Sequence, residues 1–261
     1  MITEPAIVSA VAALELPPGA RVDARVPKKL LVEQGAPTST DKRAIQDGIE
    51  EFFWIASLKP NNCAIPVATE AGQDYGEIAI LALQLRAKAK TRRLIELVHR
   101  AVPYPVLLIG SDAGGVFVST AAKRAAQNDS AKMVVEQVVT AAGLHPLEAS
   151  TIERDFLASL ALGGLPSLDL GCVYTGWRTR IEALLAARLT GDYAAKDESG
   201  FIGQRRIALE SHGVMEREAA KLRAQATRTK QISRRVDLNQ KIKAIEAAIR
   251  LNATKIMGSE V

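Results

Sequence analysis

Asp74 and Glu77, followed by Gln84 and Arg86 in "EIAILALQLRAK", come nearest to a reactive set in this chain. Metal-assisted phosphodiester cleavage needs carboxylates on adjacent strand ends to hold a divalent ion, and a lysine beside the scissile phosphate. Here glutamine stands where an acid belongs and arginine where the lysine belongs. Glutamine is a poor ligand, and a guanidinium does not replace a point-charge ammonium. The set is incomplete, so the sequence assigns no catalytic residue and leans away from an enzyme.

Other constellations are weaker. His99 in "LIELVHRAV" reads as a half-buried residue on a helix surface, and Ser111 and Asp112 in "SDAGG" read as turn chemistry. "GGLPSLDLG" lacks the lysine of a phosphate-binding loop, so no nucleotide or other cofactor is expected. Cys63 and Cys172 are far apart and only three histidines accompany them, so no metal site is expected. Two unpaired thiols suit a reducing cytoplasm. The opening "MITEPAIVSAVAALELPPGAR" lacks a basic start and is broken by Pro17 and Pro18, unlike a signal peptide or a membrane span. The expectation is a soluble cytoplasmic protein.

The elements that would position these residues suggest an α+β fold. Residues 5–16 predict a short helix and 21–37 an extended segment. "STDKRAIQDGIEEFFWIASLKP" predicts one helix, capped by Ser39 or Thr40, with Ile45, Ile49, Phe52, Phe53 and Ile55 inward and Pro60 as its end. Strand-like runs follow at 63–69, 77–85 and 104–110, with a helix between the last two. "GGVFVST" pairs back on "YPVLLIG" through "SDAGG". "SAKMVVEQVVTAAGL" suits strand or helix. This predicts an α+β domain over 1–145 with a four- to five-stranded sheet and flanking helices. A helical connector (146–200) and a C-terminal long helix or coiled-coil arm (201–261) follow, with Gly213 a candidate break.

"RTKQISRRVDLNQKIKAIEAAI", residues 228–249, reads as one helix with two unlike halves. Leu238, Ile242, Ile245, Ile249, Asn252 and Ile256 recur at steps of four and three, a heptad seam with one polar position. These six are the candidate partner-binding residues, for another protein or for self-association, and so short a seam needs a second helix from within the chain or from another subunit. Upstream, Leu222, Ile232 and Val236 fall out of phase, so the face jumps near Asp237. The upstream half is rich in cations: Arg217, Lys221, Arg223, Arg228, Lys230, Arg234 and Arg235. Three readings stay open for them: a solvated helix face, a DNA or RNA phosphate contact, and an acidic protein partner. A formal charge of +5 permits a polyanion without requiring one. Aromatics at 4% leave little base-stacking surface.

"TKQISRRVDLNQKIKAIEAAI", "RVPKKLLVE" and "AVPYPVLLI", in that order and spacing, resemble a bacterial family designated domain of unknown function 4391. The resemblance covers about 20–255. Lys28 and Lys29, and Pro103, Tyr104 and Pro105, are matching positions; the lysines join the candidate nucleic-acid contacts, although their simplest role is to face water, and "PYP" most simply sets entry into a strand. Members of that family typically accompany DNA methyltransferase and helicase or ATPase genes in defence clusters. The resemblance therefore implies a non-enzymatic adaptor in a DNA-targeting, restriction-like anti-phage assembly, docking through its C-terminal arm. The alternatives are a DNA-binding module and a degenerate restriction-type nuclease, whose acidic-x-Lys motif the Gln84–Arg86 pattern is similar to.

Overall fold

The computed structural model describes residues 2–70, 73–126 and 129–256. The chain forms two compact units, Met1–Ile181 and Glu182–Val261.

The first unit is built on a six-stranded mixed sheet. Helix α1 (Pro5–Ala12) starts at Pro5 with Glu4 as its cap, its carboxylate accepting from Ile7 N at 2.6 Å. Strand β1 (Arg21–Arg25), α2 (Lys28–Gly35) and α3 (Ser39–Gly48) follow. Next come β2 (Ile49–Leu58), a single helical turn α4 (Pro60–Cys63), and a two-stranded ribbon of β3 (Thr69–Glu70) and β4 (Gln73–Asp74). Strand β5 (Ile78–Leu85) crosses through α5 (Thr91–Ala101) to β6 (Val106–Asp112), and β7 (Gly115–Ala126) and β8 (Asp129–Leu144) complete the sheet. The strand order is β1-β2-β5-β6-β7-β8, and only β5 and β6 run parallel. Helix α6 (Thr151–Ser159) precedes α7 (Leu170–Thr190), which carries the chain into the second unit. There α8 (Ser199–Arg228) and α9 (Ile232–Ile256) form a hairpin.

Several local expectations change. The sheet has six strands rather than four or five, because Arg21–Arg25 and Ile49–Leu58 add two and Asp129–Leu144 resolves as strand, while the run expected at 63–69 contributes none. The helix expected to run to Pro60 stops at Gly48. Its apolar residues beyond that point belong to an inner strand buried on both faces, so Phe52 and Phe53 are both buried although they point oppositely. Gly48 marks the change: a Cβ there would sit 2.9 Å from Leu94 Cδ1. Residues 64–68 are not strand, consistent with Pro66, which cannot donate to a ladder. Residues 28–35 are helical rather than extended, and α8 passes Gly213 without a break. The β6–β7 hairpin forms as expected, with Asp112 Oδ1 accepting from Gly114 N at 2.8 Å.

One core joins α2, α3 and α5 to the sheet through Leu31, Ile45, Leu94, Leu97, Val98, Leu81, Leu83 and Leu108. At its rim Arg93 of α5 grips Asp41 of α3 with two bonds, 2.8 and 3.0 Å, and Thr38 Oγ1 donates to the same carboxylate at 2.7 Å. These bonds hold the Asp41 carboxyl near pKa 2. Across the sheet, Tyr174 of α7 sends its hydroxyl between two strands. The β6–β7 ladder ends at Leu108–Ser119, and the next aligned groups, Val106 and Ala121, are bridged by that hydroxyl instead. It accepts from Ala121 N at 2.9 Å and faces Ala121 O at 2.9 Å and Val106 O at 3.2 Å. Tyr174→Phe strands a buried amide, which costs about 1–3 kcal/mol. Urea unfolding should show that loss; an unchanged midpoint would mean the bridge contributes nothing.

Candidate functional site

The reactive set suggested by the sequence is not assembled. Glu77 and Gln84 stand at opposite ends of β5, roughly 23 Å apart at the rise of a strand. Glu77 is engaged locally: Ser57 Oγ donates to it at 2.5 Å and Lys59 Nζ lies 3.2 Å away. Arg86 donates to Asp47 O at 3.0 Å and so caps the C-terminus of α3. Asp74 pairs with Thr69 in the β3–β4 ribbon, and its side chain lies outside the described residues. Among the described residues no three acids, histidines or cysteines gather as a metal site.

A different polar cluster is buried in the first unit, and the sequence reading missed it. His99, expected at a surface, is 0% exposed. Its Nε2 lies 3.0 Å from Ser119 Oγ, which Thr140 Oγ1 also reaches at 3.0 Å, and Nδ1 has no partner among the described residues. A hydroxyl beside an imidazole begins a nucleophile–base pair. Ser119 is also 0% exposed, so no substrate reaches it, and the arrangement is structural. Nearby Lys123, 3% exposed, donates to Val102 O at 2.6 Å and Tyr104 O at 2.5 Å. It thereby fastens the "VPYP" entry to β6. Burial, then the Lys123 charge, lowers the His99 pKa to about 3, and burial lowers Lys123 to about 7. The strand period was the available signal, since it puts Ser119, Ala121 and Lys123 on one face with Phe117.

The seam on α9 meets α8 of the same chain. Leu238 and Ile242 pack with Leu222 and Ala226, with Ile245 alongside, and Ile256 packs with Ala186 and Ala208. Ile249 is half-buried. Asn252, at the polar seam position, is buried and donates to Ala208 O at 2.7 Å, a bond that fixes the register of the two helices. The seam residues expected to meet another molecule are thus spent within the hairpin. The apparent single helix over 228–249 is broken at 229–231, where Thr229 turns extended and its Oγ1 donates back to Gln225 O at 2.8 Å. The phase jump in the sequence marks this reversal: Leu222 belongs to α8, whereas Ile232 and Val236 belong to α9 and are 70% and 48% exposed.

The reversal gathers the cations. Arg217, Lys221, Arg223, Arg228, Lys230, Arg234 and Arg235 are all exposed around it. Lys221 lies 3.7 Å from Glu218, and Arg223 bridges to Glu246 of α9 at 2.9 Å. Among the described residues Arg228, Lys230, Arg234 and Arg235 have no carboxylate within ion-pair distance. Lys241 and Lys243 extend the patch and escaped the sequence reading. Residues 219–243 carry eight cations and one acid, Asp237, a net of +7. The whole chain is +5, so everything outside this stretch sums to −2. Lys28 and Lys29 belong to the first unit. Lys28 donates to Ile49 O and Gln46 O at the end of α3, and burial and Arg86 lower its pKa; Lys29 faces water near Glu33.

A family model described as a domain of unknown function, DUF4391, matches residues 14–249. The chain belongs to the DUF4391 family. The matched span runs through both units and takes in the helical reversal of this DUF4391 protein with its cations. Neither a search of curated proteins nor one of solved structures found a match. Among the described residues no helix is long and apolar enough to cross a membrane.

Two outcomes follow from these environments. Both folded pKa values lie below their unfolded ones, so the unfolded chain binds more protons and stability rises with pH. For His99 the contribution is complete above about 6.5 and lost as pH falls towards 3; for Lys123 it is complete above about 10.5 and lost towards 7. Urea midpoints measured from pH 3 to 7 should climb, and His99→Gln should flatten the climb. In the second unit, Ile242→Asp puts a charge into the seam at a cost on the order of 3 kcal/mol. Limited proteolysis read by mass spectrometry should find new cuts within 199–256 and none within the sheet.

Proposed function

We propose that this protein is a non-enzymatic accessory subunit that contacts the phosphate backbone of DNA through the basic end of its α8–α9 hairpin. The observation that carries this reading is the concentration of charge: 219–243 hold net +7 in a chain of +5. Exposed cations without carboxylate neighbours are free to displace counterions from phosphates, which drives sequence-independent binding. A solubility device would spread its charge over the surface, whereas here the rest of the chain is slightly acidic. Because α8 occupies the α9 seam, the hairpin meets other molecules through its polar outer surface.

The resemblance to defence-cluster proteins suggests the setting: a cytoplasmic bacterial assembly acting on DNA, with a helicase or ATPase or a DNA methyltransferase as protein partner. At 1.5 Å per residue α8 is about 45 Å long.

Fluorescence anisotropy with a labelled 30-nucleotide DNA, as duplex and as single strand, tests the reading. Four free cations predict a slope of log K against log salt at least as steep as about −3. Replacing Arg228, Lys230, Arg234 and Arg235 with Ala should flatten the slope by about 3. DNA binding that ignores salt, or that survives the fourfold replacement, would refute the assignment.

A further inference from the structure

We infer that the ligand of the basic end is double-stranded DNA gripped by both backbones at once, rather than an unpaired strand; this rests on the DNA-contact reading above. A helix turns about 100° per residue, so residues seven apart share a face. Lys221 and Arg228 are seven apart on α8, and Arg234 and Lys241 are seven apart on α9. Taking the buried seam of Leu222, Ala226, Leu238 and Ile242 as the inner faces fixes the sides of the hairpin. Arg223 and Glu246, which bridge the helices, lie on one side. Lys221, Arg228, Arg234 and Lys241 fall on the other, with Asp237 and Glu218, the latter 3.7 Å from Lys221, as the acids beside them.

The four cations therefore form two rows, one per helix. Within a row they are about 10 Å apart along the axis, and the rows are separated by the spacing of packed helices, about 8–10 Å plus the side chains. Each strand of a duplex presents a phosphate every 3.4 Å or so, so a row matches phosphates about three steps apart on one strand. The second row then reaches the other strand across a groove, whose width is about 6 Å on the minor side and about 12 Å on the major side. One flexible strand offers no second, parallel line of phosphates at a fixed distance.

The composition points the same way. Single-strand binders add aromatic side chains on which bases stack. Residues 202–261 contain no Phe, Tyr or Trp. The cations at the reversal hold phosphates, and nothing beside them stacks on an exposed base.

The full-length protein is titrated with a 20-base-pair duplex and with each of its separated strands at equal nucleotide concentration. The duplex should bind at least about tenfold more tightly. Lys221→Gln with Lys241→Gln should flatten the salt slope for duplex by about 2 and reduce the preference. Arg250→Gln, on another face of α9 and outside the basic stretch, should leave the preference in place, and circular dichroism checks that both variants stay helical. Single strands bound as tightly as duplex, or two variants with the same effect, would overturn the two-row grip while leaving the DNA-contact reading intact. Binding to neither form would remove that reading itself.

Discussion

Strands β6 and β7 part company after Leu108–Ser119, and the next residues, Val106 and Ala121, lie where water does not reach. Buried amides and carbonyls without partners cost too much to leave open. Two side chains from different places close the gap. The Tyr174 hydroxyl satisfies Val106 and Ala121 from α7, and the Lys123 ammonium satisfies Val102 and Tyr104 from β7 itself. The position of α7 against the sheet, and the entry of the chain into β6, both depend on these bonds. The parallel pair β5–β6 depends on that entry in turn, since Pro105 O accepts from Ala79 N at 2.9 Å just before the pairing begins.

The same arrangement accounts for the polar residues buried in the first unit's core. His99, Ser119, Thr140 and Lys123 look like the parts of a reactive site when read as a set of residue types. The burial of His99, Ser119 and Lys123 gives the set a different role, as the polar filling of a region where the sheet opens. The depressed pKa of Lys123 follows from its exclusion from water and needs no catalytic purpose.

The second unit works by a separate logic. Its apolar seam is short, so its helices are marginal alone and each must be covered by the other. Small residues on α8, Ala208, Ala219 and Ala226, let α9 approach, and Asn252 sets the register by its bond to Ala208 O. Once the seam is closed, what the hairpin has left to present is its polar surface, and its charge is concentrated at the reversal. The basic surface is thus created by the folding of the arm, because α8 and α9 contribute cations that are distant in the sequence but close across the turn.

Much of this was legible in the sequence because it depends on local periodicity. The amphipathic repeat of α5, the apolar run of β5, the "SDAGG" hairpin and the four–three spacing of the α9 seam are each set by neighbours within a few residues, and each appears as the pattern implies. The sequence also carried the cations and their crowding between 217 and 235. What it did not carry was which apolar face meets which. Residues 49–58 have the composition of a helix face or of a doubly buried strand, and only the neighbouring β1 and β5 decide for the strand. The seam could close on any matching helix until α8 occupies it, and Glu77 and Gln84 look adjacent until the extended rise of β5 separates them. Patterns of burial are local, but the partners that produce burial are remote in the chain, and their choice belongs to the tertiary structure.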